Sequence, residues 1–193
     1  MSERMNRRLS PCPELLEPRT LATLVFVLNG NAFAGASPSV QTKTAAADLA
    51  RRGDRAIQIS YAAMCSVGAF DQLAGQIRQV SRGRPIGLIG FSAGGTLALR
   101  LSQFSSLNVK AVLDFYGPPD LANWVSQHGG DIHAQQVLSN INNNQNFINA
   151  MSGPVTTTAY LVSAFGTQDT GVSAAPNAVS SQQDFPGGKV FYI

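Results

Sequence analysis

"PIGLIGFSAGGTLALRL", residues 85–101, joins two apolar runs through one glycine-rich turn. The first run is short and aliphatic, as in a buried strand, and the second predicts a helix with small residues at its start. A strand that passes directly into a helix forces the residue at the corner, here Ser92, into a strained backbone conformation. The chain crowds the positions two before and two after that corner, which favours Gly90 and Gly94.

This turn places a serine hydroxyl at the start of a helix. The free N–H groups and the positive dipole end of a helix start favour developing negative charge. The phosphate-binding patterns G-x-G-x-x-G and G-x-x-x-x-G-K-[ST] are both absent from the stretch. We therefore interpret Ser92 as a nucleophile; the alternative is a strand–helix junction that needs small residues for close packing.

Apolar strands alternate with amphipathic helices along the chain. This alternation predicts an α/β fold: a three-layer sandwich with a mostly parallel central sheet of about six strands. Residues 1–20 are polar and proline-rich, and predict an irregular segment. Residues 21–193 predict a single domain with a cap-like helical insertion at about 118–157. The predicted strands are 21–30, 55–63, 85–91, 109–117, 159–165 and 188–193, and the predicted helices are 40–53, 69–84 and 92–104.

Composition excludes several kinds of partner. The net charge is +3, and all but Lys189 of the 14 lysines and arginines lie in residues 1–110. They are scattered without interleaved aromatics, so we interpret them as solvated helix faces and expect no nucleic-acid partner. Cys12, Cys65 and the two histidines lack metal-ligand spacing, so we expect no metal and no other cofactor. No apolar stretch is long enough for a membrane helix.

The first residues bear on location. Arg7 and Arg8 precede an apolar run, and "AFAGA" (32–36) is similar to a signal cleavage site. Acidic residues and prolines interrupt this leader, so a cytoplasmic location is expected and secretion is the alternative.

Three motifs together carry a resemblance to a known family. From about Leu21 to Ile193 the chain resembles the α/β-hydrolases, in particular their esterase, lipase and dienelactone-hydrolase-like branches. "GLIGFSAGG" (87–95) resembles the nucleophile elbow, and "AVLDFYGPPDL" (111–121) resembles the next strand with its Tyr-Gly turn. "AYLVSAFGTQDTGV" (159–172) resembles the following strand and its G-x-x-D turn. The resemblance implies a serine hydrolase that cleaves small-molecule carboxylic esters through an acyl-enzyme.

The G-x-x-D turn of the family implies Asp169 as the acid of the catalytic triad. A carboxylate just past a strand can also hold a histidine ring in one tautomer and stabilise the imidazolium. The alternative is a turn aspartate that bonds its own backbone. Asp114 and Asp120 are weaker candidates for the acid.

The family also implies an oxyanion hole. It would use the backbone N–H of Ala93 and those of the loop after the first strand, at Gly30 and Asn31. That loop resembles the family's His-Gly-Gly-Gly segment but keeps one glycine. An ordinary Asn-Gly turn is an equally good interpretation.

The family's histidine follows the last strand, and here the last predicted strand ends at Ile193. His128 and His133 instead lie in the insertion, where "QHGGDIH" (127–133) predicts a surface loop. We therefore expect a core that lacks the family's N-terminal hairpin and C-terminal histidine segment, and that is inactive as given. The alternative is a non-catalytic domain for ligand binding or protein interaction. Exposed sheet edges also suggest a homo-oligomer.

Overall fold

One parallel sheet organises the molecule. The structure, a computed structural model, describes residues 23–30, 33, 38–59, 64–165 and 189–192, the last range by its backbone. Six strands lie in the order β2-β1-β3-β4-β5-β6, and all five pairings are parallel. The strands are β1 (Leu24–Leu28), β2 (Arg55–Ile59), β3 (Ile86–Phe91), β4 (Val109–Phe115), β5 (Tyr160–Phe165) and β6 (Lys189–Tyr192). The predicted fold class is confirmed.

Helices cover both faces of this sheet. They are α1 (Val40–Arg51), α2 (Val67–Ser81), α3 (Ala93–Leu101), α4 (Leu121–His128), α5 (Ile132–Asn140) and α6 (Gln145–Ala150). All of β1 is buried because its alternate side chains meet different layers. Phe26 packs in the cluster that contains Leu73 of α2 and Leu97 of α3. Val27 packs on the opposite face, in the cluster that contains Ala46 of α1.

Side-chain caps set the starts of the outer helices. The Ser39 hydroxyl accepts the Thr42 N–H at 3.2 Å at the start of α1. The Ser66 hydroxyl accepts the Ala69 N–H at 3.1 Å at the start of α2. Each cap satisfies a donor that has no partner inside its own helix.

Three short helices, α4 to α6, form the segment between β4 and β5. The surface loop predicted over 127–133 is confirmed only for residues 129–131, because α4 extends to His128 and α5 begins at Ile132. Gly129 and Gly130 separate the two helices, and Asp131 occupies the N-cap of α5. The two glycines lie in this short turn, and the helices on either side begin and end directly next to it.

Several predictions fall outside the described residues. They concern the irregular segment 1–20, Cys12, Asn31 and Asp169. Cys65 is described and is a free cysteine. None of the helices in the described ranges has the length and apolar character that a bilayer crossing requires.

Candidate active site

Ser92 occupies the corner between β3 and α3. Its backbone has φ 51° and ψ −124°, in a region that residues with a side chain rarely adopt. The Ser92 N–H donates to the Phe115 carbonyl of β4 at 2.7 Å, and the Ser92 carbonyl accepts the Gly95 N–H at 2.7 Å. The strained backbone expected at Ser92 from the sequence is therefore present. The two hydrogen bonds, one through its N–H and one through its carbonyl, hold it in place.

The glycines around this corner are required by close backbone approach. A Cβ atom on Gly90 would overlap the Gly94 carbonyl. A Cβ atom on Gly94 would lie 2.6 Å from the Asn29 carbonyl oxygen at the end of β1. Real Cβ atoms do not approach this closely, so both positions need glycine for steric reasons.

The predicted oxyanion residues Gly30 and Ala93 lie beside Ser92. A Cβ atom on Gly30 would be 3.5 Å from the Ser92 Cβ, so this loop packs directly on the corner. Ala93 is the first residue of α3 and is 8% exposed. The first N–H groups of a helix have no intrahelical partner and are therefore free to bind an anion.

Asn29 anchors the loop that carries Gly30. Its side chain is buried, and its Oδ1 accepts the Ser39 N–H at 3.1 Å and the Thr42 hydroxyl at 3.3 Å. These bonds tie the end of β1 to the start of α1. Sequence reasoning missed this role, although a polar residue directly after a fully apolar strand was the available signal.

A small cavity of about 20 Å³ is lined in part by Ser92. A space of this size holds about one water molecule. Its lining includes Ser92, Ala93, Leu121, Trp124, His133 and Val137. The segment between β4 and β5 therefore supplies one wall, and the β3–α3 turn supplies the other.

The two histidines of this segment have different surroundings. His133 lines the Ser92 cavity and is otherwise exposed. The His128 Nδ1 lies 3.0 Å from the Trp124 carbonyl oxygen, and its ring stacks on the Trp124 ring with a centroid distance of 5.4 Å. His133 thus lies on an exposed part of α5 that borders the cavity, whereas His128 packs against Trp124.

Asp114, a weaker candidate for the triad acid, lies fully buried behind the corner. Its Oδ1 accepts the Gly117 N–H at 2.9 Å, and its Oδ2 accepts the Ser163 hydroxyl at 3.0 Å. Burial raises the pKa of Asp114 to about 8, against the opposing effect of these two hydrogen bonds. No hydrogen bond joins it to a histidine in the described part of the chain, so its partners are structural.

Asp120, the other weaker candidate, has a capping role. Its Oδ1 accepts the Asn123 N–H at 2.9 Å at the start of α4, and its Oδ2 accepts the Gly153 N–H at 3.0 Å. Both oxygens therefore join the two ends of the segment between β4 and β5.

Comparison with solved structures identifies the fold. A carboxyl esterase from the fungus Tuber melanosporum superposes with a TM-score of 0.72 at 12% identity, over 91% of this chain and 69% of that one. A lipase/esterase from Lactobacillus plantarum gives 0.66 at 14% identity, over 89% and 77%. Mouse alpha/beta hydrolase domain-containing protein 10 gives 0.65 at 16%, over 88% and 79%. The sequence matches no protein-family model and no curated protein.

These likenesses, together with the sheet order and the strained strand–helix corner, define the class. The chain has the α/β-hydrolase fold. The structures compared with it include esterases, a lipase, a thioesterase and a dienelactone hydrolase, of which the chain spans 66 to 79% of the length.

Proposed function

We propose that the protein is a serine hydrolase that cleaves carboxylic esters through an acyl-enzyme on Ser92. The observation that carries this proposal is the backbone of Ser92, at φ 51° between a strand and a helix. A residue with a side chain keeps such a rarely populated backbone conformation only where the surrounding structure enforces it, and such residues are concentrated at functional sites. A serine needed only for close packing at the junction has no reason to adopt this conformation.

The first half of the reaction forms the acyl-enzyme. The Ser92 Oγ attacks the ester carbonyl carbon while a base takes the hydroxyl proton, because serine is a weak nucleophile without one. The tetrahedral intermediate then collapses, its bond to the alkoxy oxygen breaks, and the alcohol leaves with that proton. A water molecule repeats the sequence on the acyl-enzyme and releases the carboxylic acid.

The oxyanion of each intermediate lies at the start of α3. The Ala93 N–H is its first donor, and the loop at Gly30 and Asn31 supplies the second. Asp169, four residues after β5 ends, orients the base and stabilises its protonated form. 4-Nitrophenyl acetate, an activated ester with a small acyl group, is a suitable substrate for assay.

Covalent labelling tests this function. A fluorophosphonate probe followed by peptide mass spectrometry is expected to modify Ser92, and Ser92→Ala is expected to abolish both labelling and hydrolysis of 4-nitrophenyl acetate. Ser105→Ala is the matched control, since Ser105 is an exposed serine after α3 and should leave both unchanged. Equal labelling of Ser92 and Ser105, or none at all, would contradict the proposal and favour a non-catalytic binding domain.

A further inference from the structure

Two adjacent prolines open the segment between β4 and β5. Pro118 and Pro119 are both buried, and each can be hydrogen-bonded only through its carbonyl, because proline has no backbone N–H. Side chains of α3 donate to both carbonyls, Thr96 to that of Pro118 and Arg100 to that of Pro119. The helix that begins directly after Ser92 therefore holds the start of the segment.

Thr96 has an unusual hydrogen bond for a threonine inside a helix. Its side chain is fully buried, and its hydroxyl donates to the Pro118 carbonyl at 2.8 Å. A helical threonine can instead bond the carbonyl four residues earlier, which here belongs to Ser92. That carbonyl already accepts the N–H groups of Gly95 and Thr96. The Thr96 hydroxyl is thus available to bond across to the segment.

The turn that leads to Pro118 lies directly against α3. A Cβ atom on Gly117 would lie 2.6 Å from the Thr96 backbone nitrogen, so this approach requires glycine. Tyr116, with φ 64°, donates its N–H to the Ala164 carbonyl of β5 at 3.0 Å. Close backbone contacts therefore bring Pro118 to Thr96, and the hydroxyl fixes its carbonyl there.

Pro118 and Ser92 line the same cavity. Thr96 lies one helical turn after Ser92, so one turn of α3 connects the serine with a side chain that holds another part of the cavity lining. We propose that Thr96 is a positioning residue, which fixes the Pro118 side of this cavity and thereby sets which acyl groups Ser92 accepts. The effect on acyl groups rests on the proposed esterase function.

Matched variants of the whole chain test this assignment. Thr96→Val keeps the shape of the side chain but leaves the buried Pro118 carbonyl without its donor, whereas Thr96→Ser keeps the hydroxyl. Thr157→Val is the control, because the Thr157 hydroxyl donates to the Ser102 carbonyl at 2.9 Å, at the other end of α3. Both valine variants should lower the unfolding temperature, but only Thr96→Val should change the cavity.

Trp124 reports on the cavity without any need for catalysis. It is the only tryptophan of the chain, it lines the cavity, and its side chain is 3% exposed. Thr96→Val should increase the quenching of its fluorescence by acrylamide about two-fold or more, because a released segment opens more often. Thr96→Ser and Thr157→Val should leave the quenching at the wild-type level.

A ratio of two rates tests the effect on acyl groups. The measured quantity is kcat/KM for 4-nitrophenyl butyrate divided by kcat/KM for 4-nitrophenyl acetate. This ratio does not depend on the fraction of folded enzyme, so a loss of stability alone cannot change it. Thr96→Val should raise the ratio by about 10-fold, because the released wall can move to admit the longer acyl group. Thr96→Ser and Thr157→Val should keep the wild-type ratio.

The outcomes separate the two proposals. If wild-type Ser92 reacts and Thr96→Val keeps the wild-type ratio, the esterase function stands and the assignment of Thr96 is wrong. An equal change in Thr157→Val also overturns the assignment, because any weakening of α3 would then have the same effect. If wild-type Ser92 does not react at all, the esterase function fails, and the quenching of Trp124 still decides whether Thr96 holds the cavity.

Discussion

The two walls of the Ser92 cavity are held in place by different means. The β3–α3 corner is set by close backbone contacts, such as that between Gly94 and the end of β1. A larger residue at Gly94 would clash with backbone atoms there, and no side-chain movement could remove the clash. The segment between β4 and β5 is held by side chains. Arg100 of α3, itself buried, donates to the carbonyls of Pro119 and Gly153 at its two ends. The serine is thus fixed by backbone sterics, whereas the wall that carries His133 is held by side chains, both by the hydrogen bonds of Arg100 and by buried side chains such as Leu121 and Phe147.

The largest effect is expected from breaking the corner. Gly90→Ala places a Cβ atom on the Gly94 carbonyl, and only a shift of the backbone can relieve the overlap. We expect a loss of about 3 kcal/mol or more in the free energy of unfolding, measured by urea denaturation. Labelling of Ser92 should be lost in the fraction that still folds.

Gly75→Ala is the matched control for this substitution. Gly75 lies within α2, and a Cβ atom there meets nothing within 4 Å. Alanine should therefore stabilise the protein by about 0.5–1 kcal/mol, through its higher helix propensity. Similar losses at Gly75 and Gly90 would contradict the steric account of the corner.

A smaller effect is expected from releasing the other wall. Arg100→Met keeps much of the buried stem but removes the donors to the carbonyls at the ends of the segment. We expect a loss of about 3 kcal/mol, because hydrogen bonds from a charged group are strong and the buried Pro119 carbonyl would lose its donor. Hydrogen exchange should quicken in α4 and α5 before it does in β3.

Arg78→Met provides the comparison, since Arg78 is exposed on α2 and its loss should cost less than about 0.5 kcal/mol. If Arg100→Met instead exposes the amides of both walls together, then the two walls unfold as one unit and the contrast between them is wrong.

A third prediction concerns how the stability of the corner depends on pH. Asp114 has a folded pKa of about 8 against an ordinary 3.8, so between these values it holds a proton when folded and loses it when unfolded. Stability should therefore fall as pH rises from about 4 to about 8, by about 1.4 kcal/mol per pH unit at most, and level off above. Urea denaturation at pH 5, 6, 7 and 8 measures this slope.

Asp114→Asn should remove that slope, because the amide does not titrate in this range. Ser163→Ala removes a hydrogen bond that lowers the pKa of Asp114, so it should extend the decline to higher pH. Identical slopes in the wild-type protein and Asp114→Asn would show that the carboxyl is ionised in the folded state.

Much of the fold was predictable because its signals are local. The apolar run of β1 and the glycine pattern around Ser92 each depend on residues a few positions apart. The predicted strands therefore agree with the observed ones to within a few residues at their described ends. The loop predicted over 127–133 was too long, because paired glycines indicate a loop but do not show how close to them the flanking helices end and begin.

The sequence by itself determined the strand–turn–helix at Ser92, because steric crowding between Gly90 and Gly94 acts within five residues. It also placed Gly30 and Ala93 near the serine, since parallel strands end at the same edge of the sheet. Only the tertiary structure decided that His133 faces the Ser92 cavity and that Asp114 is buried away from any described histidine. Both depend on how distant elements pack, and the rotation of a short helix such as α5 is set by its neighbours and not by its own residues.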